Sequence, residues 1–200
     1  MDEDLRSLIH QKLDAIARYE DSAMISSVAQ VWKAVGPAPD CPWVGDVMRS
    51  IQHQCHQSVA TRGVRVARAL GETLNAVKPP YEPSLAAALK AIVNPFFPED
   101  LCLAPAISTR GVYERHNRRK FSERIYEHEL ALVRVAVANA SRDAKQKAHF
   151  VIDQYVLAAK NERPRGVRRL WDAVNLRPGL FGVGIDLKKL FGRSRPSSRE

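Results

Sequence analysis

The 200-residue chain predicts an all-α protein in which long helices pack antiparallel, shorter helices brace them, and a strand-like tail follows. Three observations carry this expectation. Apolar residues recur every three or four positions over long stretches, proline and glycine cluster between those stretches, and period-two alternation is confined to a segment after Pro178. Apolar residues form 45% of the chain and charged ones 26%, ordinary usage for a sequence that buries a core. Wholesale disorder, collagen-like repeats and a disulfide scaffold are thereby set aside.

Residues 3–35 read as helical. Asp2, Glu3 and Asp4 supply a cap and negative charge where the helix dipole favours it, and Leu5, Leu8, Ile9, Leu13 and Ile16 share a face. A second stripe of Met24, Ile25, Val28, Val31, Trp32 and Val35 follows Glu20, Asp21 and Ser22, so one kinked helix or two helices fit equally. Gly36, Pro37, Pro39 and Pro42 then forbid helix. From Trp43 to Val77 a helical period returns through Val44, Val47, Met48, Ile51, Cys55, Val59, Val66, Leu70 and Leu74, with Gly63 a weak link in it. Pro79, Pro80 and Pro83 end it, Ser84 is placed to cap a short helix to Val93, and Asn94 with Pro95 stops that one.

Residues 94–109, with Phe96, Phe97, Pro98, Cys102 and Pro105, read as an ordered apolar loop that must pack on something. The longest element runs from Thr109 or Gly111 to Asn161. It carries one stripe of Phe121, Ile125, Leu132, Ala136 and Ala140, widened by Tyr126, Leu130, Val133, Val137, Ala144, Ala148, Val151 and Tyr155. An unbroken helix of that length would span ~75 Å. A break near His116 to Lys120, or an antiparallel helical partner of like length, is therefore expected. Residues 165–175 form a last short helix, with Val167, Leu170, Trp171 and Val174 inward.

The division expected is a helical domain over 1–177, an apolar tail over 178–192 and a disordered end over 193–200. Phe181, Val183, Ile185 and Leu187 alternate with small or polar residues, the pattern of a half-buried strand. Such a strand can pair with residues 101–103 or extend a sheet on a partner protein. The four apolar residues are accordingly candidate partner-binding positions. Residues 180–191, where Lys188 and Lys189 stand beside Leu187, Leu190 and Phe191, also have the make-up of a short interfacial anchor.

Charge is uneven. Successive quarters carry −3, +1, +5 and +6, summing to +9, and 21 of the 31 bases are arginine. Arginine favours forked contacts to phosphate or carboxylate. Arg115, Arg118, Arg119, Lys120 and Arg124 form one cluster, and Arg165, Arg168 and Arg169 share a helical face in another, with Tyr113 or Trp171 available for stacking. These eight are the candidate nucleic-acid-binding residues. No helix-turn-helix, zinc-finger or RNA-motif signature accompanies them, so contact would be independent of base sequence. The bland alternative pairs them with the acidic first quarter, within one chain or across a homo-oligomer.

The acidic amino terminus lacks the features of a leader, no apolar run approaches the ~20 residues of a membrane span, and three cysteines (Cys41, Cys55, Cys102) do not make a disulfide framework. A cytoplasmic protein is expected. His53, Cys55 and His56 cannot converge on one helix face, so no metal site is assigned. No glycine-rich phosphate loop, dinucleotide fingerprint or Gly-x-Ser-x-Gly elbow occurs, and no cofactor is expected. The reading is a non-enzymatic helical interaction or scaffold protein whose basic second half contacts a partner protein or nucleic acid.

An enzymatic alternative rests on Arg142 and His149. Arginine precedes histidine with four to six residues between at Arg49 and His56, Arg110 and His116, and Arg142 and His149. The last pair, with Asp143 after the arginine and apolar flanks on a long helix, resembles the Arg-x(4–6)-His motif of the HEPN ribonuclease superfamily, which is all-α and of similar length. That resemblance covers eight residues. It implies RNA cleavage, with Arg142 steadying phosphate charge and His149 moving the proton of an attacking 2′-hydroxyl.

Overall fold

Negative charge and a cap open the first helix as expected: Asp4 N–H donates to Asp2 Oδ1 at 3.2 Å. The computed structural model describes residues 2–34, 44–100, 103–117 and 122–161, and these form five α-helices with no strand among them. Helix α1 spans Glu3–Ala34, α2 Val44–Val77, α3 Leu85–Val93, α4 Leu103–Asn117 and α5 Glu123–Lys160. A 3-10 turn, Asn94–Phe96, follows α3 directly.

The first helix is a single element. Ser26 and Ser27 return their hydroxyls to the carbonyls of Ser22 and Ala23, so the polar stretch is absorbed without ending the helix. Leu5, Ile9, Leu13, Met24 and Val28 are buried, but Leu8 and Ile25, counted in the same stripes, lie at its edge and are exposed. In α2 each expected stripe position from Val47 to Leu74 is buried, which stabilises the fold by roughly 1.5–3 kcal/mol per large side chain. Lys78 ends α2 in the left-handed region at φ 50, its N–H donating to Leu74 O at 2.9 Å, and Pro79 prevents continuation.

Two expectations need correction. Ser84 makes no side-chain cap; its carbonyl instead accepts from Ala88 N–H. Residues 103–109 are helix rather than loop, because α4 begins at Leu103 and places Pro105 in its first turn, where an N–H has no intrahelical partner to lose. The expected break between α4 and α5 is present, with α4 ending at Asn117 and α5 starting at Glu123.

Pairings across the core set the topology. Lys12 donates to Thr73, and Asp21 meets Arg62, so α1 and α2 are long antiparallel neighbours. Gly63 lies against Ala144 and Pro79 accepts from Tyr155, so α2 and α5 run in the same sense. Against α5, Lys90 meets Asp153, Asn94 meets His149, Pro98 accepts from Ser141, and Ile107 accepts from Tyr126. The stretch α3, 3-10 turn, α4 therefore returns along α5 as one broken rod. The result is an up-down-up-down bundle whose third member is interrupted.

Small residues decide the centre. The buried face of α5 includes Ala140, Ser141, Ala144 and Ala148, and a Cβ placed on Gly63 would stand 2.6 Å from the Cβ and 3.0 Å from the Cα of Ala144. The weak link of α2 is thus a point of close approach by α5. Of the two stripes on α5, the one through Tyr126, Leu130, Val133, Val137 and Ala144 is core, while Leu132 of the other is 43% exposed.

Candidate functional site

At the facing ends of α4 and α5, Arg110 ties together the described acidic residues. Its Nη1 and Nη2 donate to the two carboxylate oxygens of Glu123 at 2.7 and 2.8 Å, and its Nε donates to Glu114 at 3.3 Å. The guanidinium also stands 5.6 Å from the centre of the Tyr126 ring. These hydrogen bonds hold the Glu123 carboxyl below the usual carboxylate range and push the arginine's own proton affinity up. Arg115, in the last turns of α4, and Arg124, in the first turn of α5, are both exposed. Arg118, Arg119 and Lys120 lie outside the described residues, as do Arg165, Arg168, Arg169, Phe181, Val183, Ile185 and Leu187. Leu103, offered as part of a mate for the tail strand, opens α4 instead.

A charge census separates the helices from the rest. The described residues hold 18 Lys and Arg against 17 Asp and Glu, whereas 118–121 and 162–200 together hold 13 against 4. The helical body is close to neutral. The basic excess sits in the link between α4 and α5 and in the segment after α5.

Arg142 and His149 share a face of α5, seven residues or about 10.5 Å apart along its axis. Arg142 is exposed and reaches Asn139 at 3.4 Å. His149 is half-buried, with Nε2 2.8 Å from Asn94 Oδ1 and the Lys90–Asp153 ion pair beside it. Burial, and then Lys90, lower its proton affinity, so the ring is neutral at pH 7. With Asn94 Oδ1 accepting, Nε2 carries the hydrogen and Nδ1 keeps its lone pair.

His53 and His56 are exposed while Cys55 is fully buried, its thiol pushed up to about 11 by burial, so the three do not converge. Among the described residues no three His, Cys, Asp or Glu come together as a metal cage would require. No described helix is long and apolar enough to cross a membrane.

One cluster has no sequence signature. Between α1 and α2, Arg65 lies 2.9 Å from Glu20 Oε1 and 4.5 Å from the centre of the Tyr19 ring, and Arg62 lies 3.3 Å from Asp21. The side chains of Glu20 and Arg62 are 6% and 4% exposed, and among the described residues the Nε of Arg62 has no hydrogen-bond partner. Burial raises the Glu20 carboxyl above its ordinary 4.5 despite the pull of Arg65 and Arg62. Folded protein therefore holds that proton more readily than unfolded chain, so the group's contribution is full below about 4.5 and is lost as pH rises through the higher folded value. Glu20→Gln should be at least as stable as the parent at pH 7, since half-exposed Arg65 can turn to water, and should flatten the decline in urea-unfolding stability as pH rises above about 4.5. A loss above ~1 kcal/mol at pH 7 would show that the ion pair outweighs its desolvation.

No family model, curated protein or solved structure matches the chain.

Proposed function

We propose that this protein is a non-enzymatic helical scaffold that contacts an acidic partner, nucleic acid or protein, through basic segments carried on a near-neutral body. The observation that supports this reading is the charge census: 118–121 and 162–200 hold the whole positive excess, while the packed helices hold almost none. A near-neutral body leaves most of the attraction to those segments and to the helix ends that flank them, and contact of this kind reads charge and not base sequence. The apolar alternation at Phe181, Val183, Ile185 and Leu187 adds a docking strand for a protein partner. A reducing cytoplasm suits this reading, since three widely spaced cysteines do not make a disulfide framework.

Fluorescence anisotropy of the full chain with a generic RNA strand and a DNA duplex tests the proposal. Affinity should fall steeply with salt, and replacing Arg165, Arg168 and Arg169 by alanine should lower the slope of log K against log salt by about 2 to 3. Polyglutamate binding without RNA or DNA binding would make the partner an acidic protein. No binding to any of the three at about 50 mM salt would overturn the reading.

A second reading, the HEPN-like ribonuclease, is favoured by one observation, the neutral His149 oriented by Asn94. In the same tubes it predicts RNA cleavage that both Arg142→Ala and His149→Ala abolish.

A further inference from the structure

Arg110 does two things at once. It pins the first turn of α5 to the middle of α4 through two forked hydrogen bonds to Glu123, and it occupies the neighbouring carboxylates. Between 110 and 124 there are six Lys and Arg against two acids, Glu114 and Glu123, and Arg110 engages both. Tyr126, under the guanidinium, donates its hydroxyl to Ile107 O at 3.1 Å, closing the same contact from the other side.

The consequence falls on two arginines. Arg115 stands five residues beyond Arg110, about 7.5 Å further along α4, and Arg124 directly follows Glu123. Both are exposed, and among the described residues neither makes an ion pair. Helix ends fray when their terminal groups lack partners. The Arg110 clamp holds these two ends in fixed relation, so a ligand bridging Arg115 and Arg124 need not spend binding energy on ordering them.

Resting on the reading that basic segments contact a polyanion, the geometry points to the α4–α5 end as a docking surface for a phosphodiester backbone, with Arg115 and Arg124 as contacts and Arg110 as a positioning residue. A phosphodiester chain carries charge at every unit and can bridge two arginines at whatever spacing the clamp sets. An acidic protein would need carboxylates placed to match. Arginine's planar fork also suits phosphate oxygens.

The decisive variant is Glu123→Gln in the full chain, because the two accounts predict opposite signs. Simple electrostatics expects tighter RNA binding once a negative charge is removed. The clamp account expects binding to a 20-nucleotide RNA weakened about five-fold, with Arg110→Gln weakened at least as much and helical circular dichroism unchanged in both. Arg115→Ala and Arg124→Ala should each lower the salt slope by about 0.7. Wild-type binding with Glu123→Gln equal or tighter would overturn the positioning role and leave the scaffold reading standing. Absence of RNA binding by the wild-type chain, or preference for polyglutamate over RNA, would overturn the phosphodiester surface itself.

Discussion

Phe97→Ala is expected to cost about 3–5 kcal/mol, which moves the urea midpoint down by about 2 M for a slope near 2 kcal/mol per M. Phe97 is fully enclosed although it sits in a bend, between the 3-10 turn and α4. The next residue, Pro98, offers its carbonyl to Ser141 Oγ at 2.9 Å, so the backbone on either side of the ring is tied down. A site held in that way cannot collapse into the space the ring leaves, and the cavity cost is then close to its full value. Phe96 provides the control. It is half-buried and meets His10 edge-on at 5.5 Å, so Phe96→Ala should cost less than half as much. A loss below ~1.5 kcal/mol for Phe97→Ala would show that the bend is not a fixed part of the core.

Gly63→Ala should also destabilise, against the helix-propensity scale. Alanine is worth ~1 kcal/mol more than glycine in a helix interior. Here the new methyl would meet the Cβ of Ala144 at 2.6 Å and its Cα at 3.0 Å, and the latter is backbone that cannot swing aside. Overpacking of that kind costs about 1–3 kcal/mol, enough to reverse the propensity gain. Ala144→Gly in the same chain removes the methyl at the nearer contact and should recover a large part of the loss. A double-mutant cycle by urea unfolding then reads a coupling of at least ~1 kcal/mol. Additive effects would mean that α2 and α5 are not locked at this crossing.

Helix positions were legible because a 3.6-residue period sustained over thirty residues has no rival, and because Pro79, Pro80 and Pro95 can only stand outside or at the start of helices. The start of α4 was not, since Pro105 breaks a helix interior but suits a first turn, and nothing local separates the two cases. Which stripe of α5 faces inward was equally hidden. Leu132 and Val133 are both apolar, and the choice is made by where α2 presents Gly63. Gly63 itself reads as a flaw by propensity and is a requirement by packing. Direction of pairing carries no periodic signal, so the parallel run of α2 beside α5 could not be read from either helix.

The candidate site divides along the same line. Basic clusters are counted directly from the chain, whereas the Arg110 clamp needs α4 and α5 folded against each other in one register. The Glu20 and Arg65 pair is more remote still, because its members lie 45 residues apart on two different helices. Asn94 beside His149 depends on α3 lying antiparallel to α5. Charge density is a property of composition; the pairing of particular charges is a property of tertiary register.

The central crossing also has a kinetic consequence. Gly63 and Ala144 are 81 residues apart, whereas Arg110 and Glu123 are separated by 13. Bringing the distant pair together costs about 1.6 kcal/mol more loop entropy than the near one. The two hairpins, α1 with α2 and α4 with α5, can therefore assemble early and independently, and the parallel seam between them zips late, once both surfaces are already shaped. Substitutions in that seam should shorten the lifetime of the native protein more than they delay its formation.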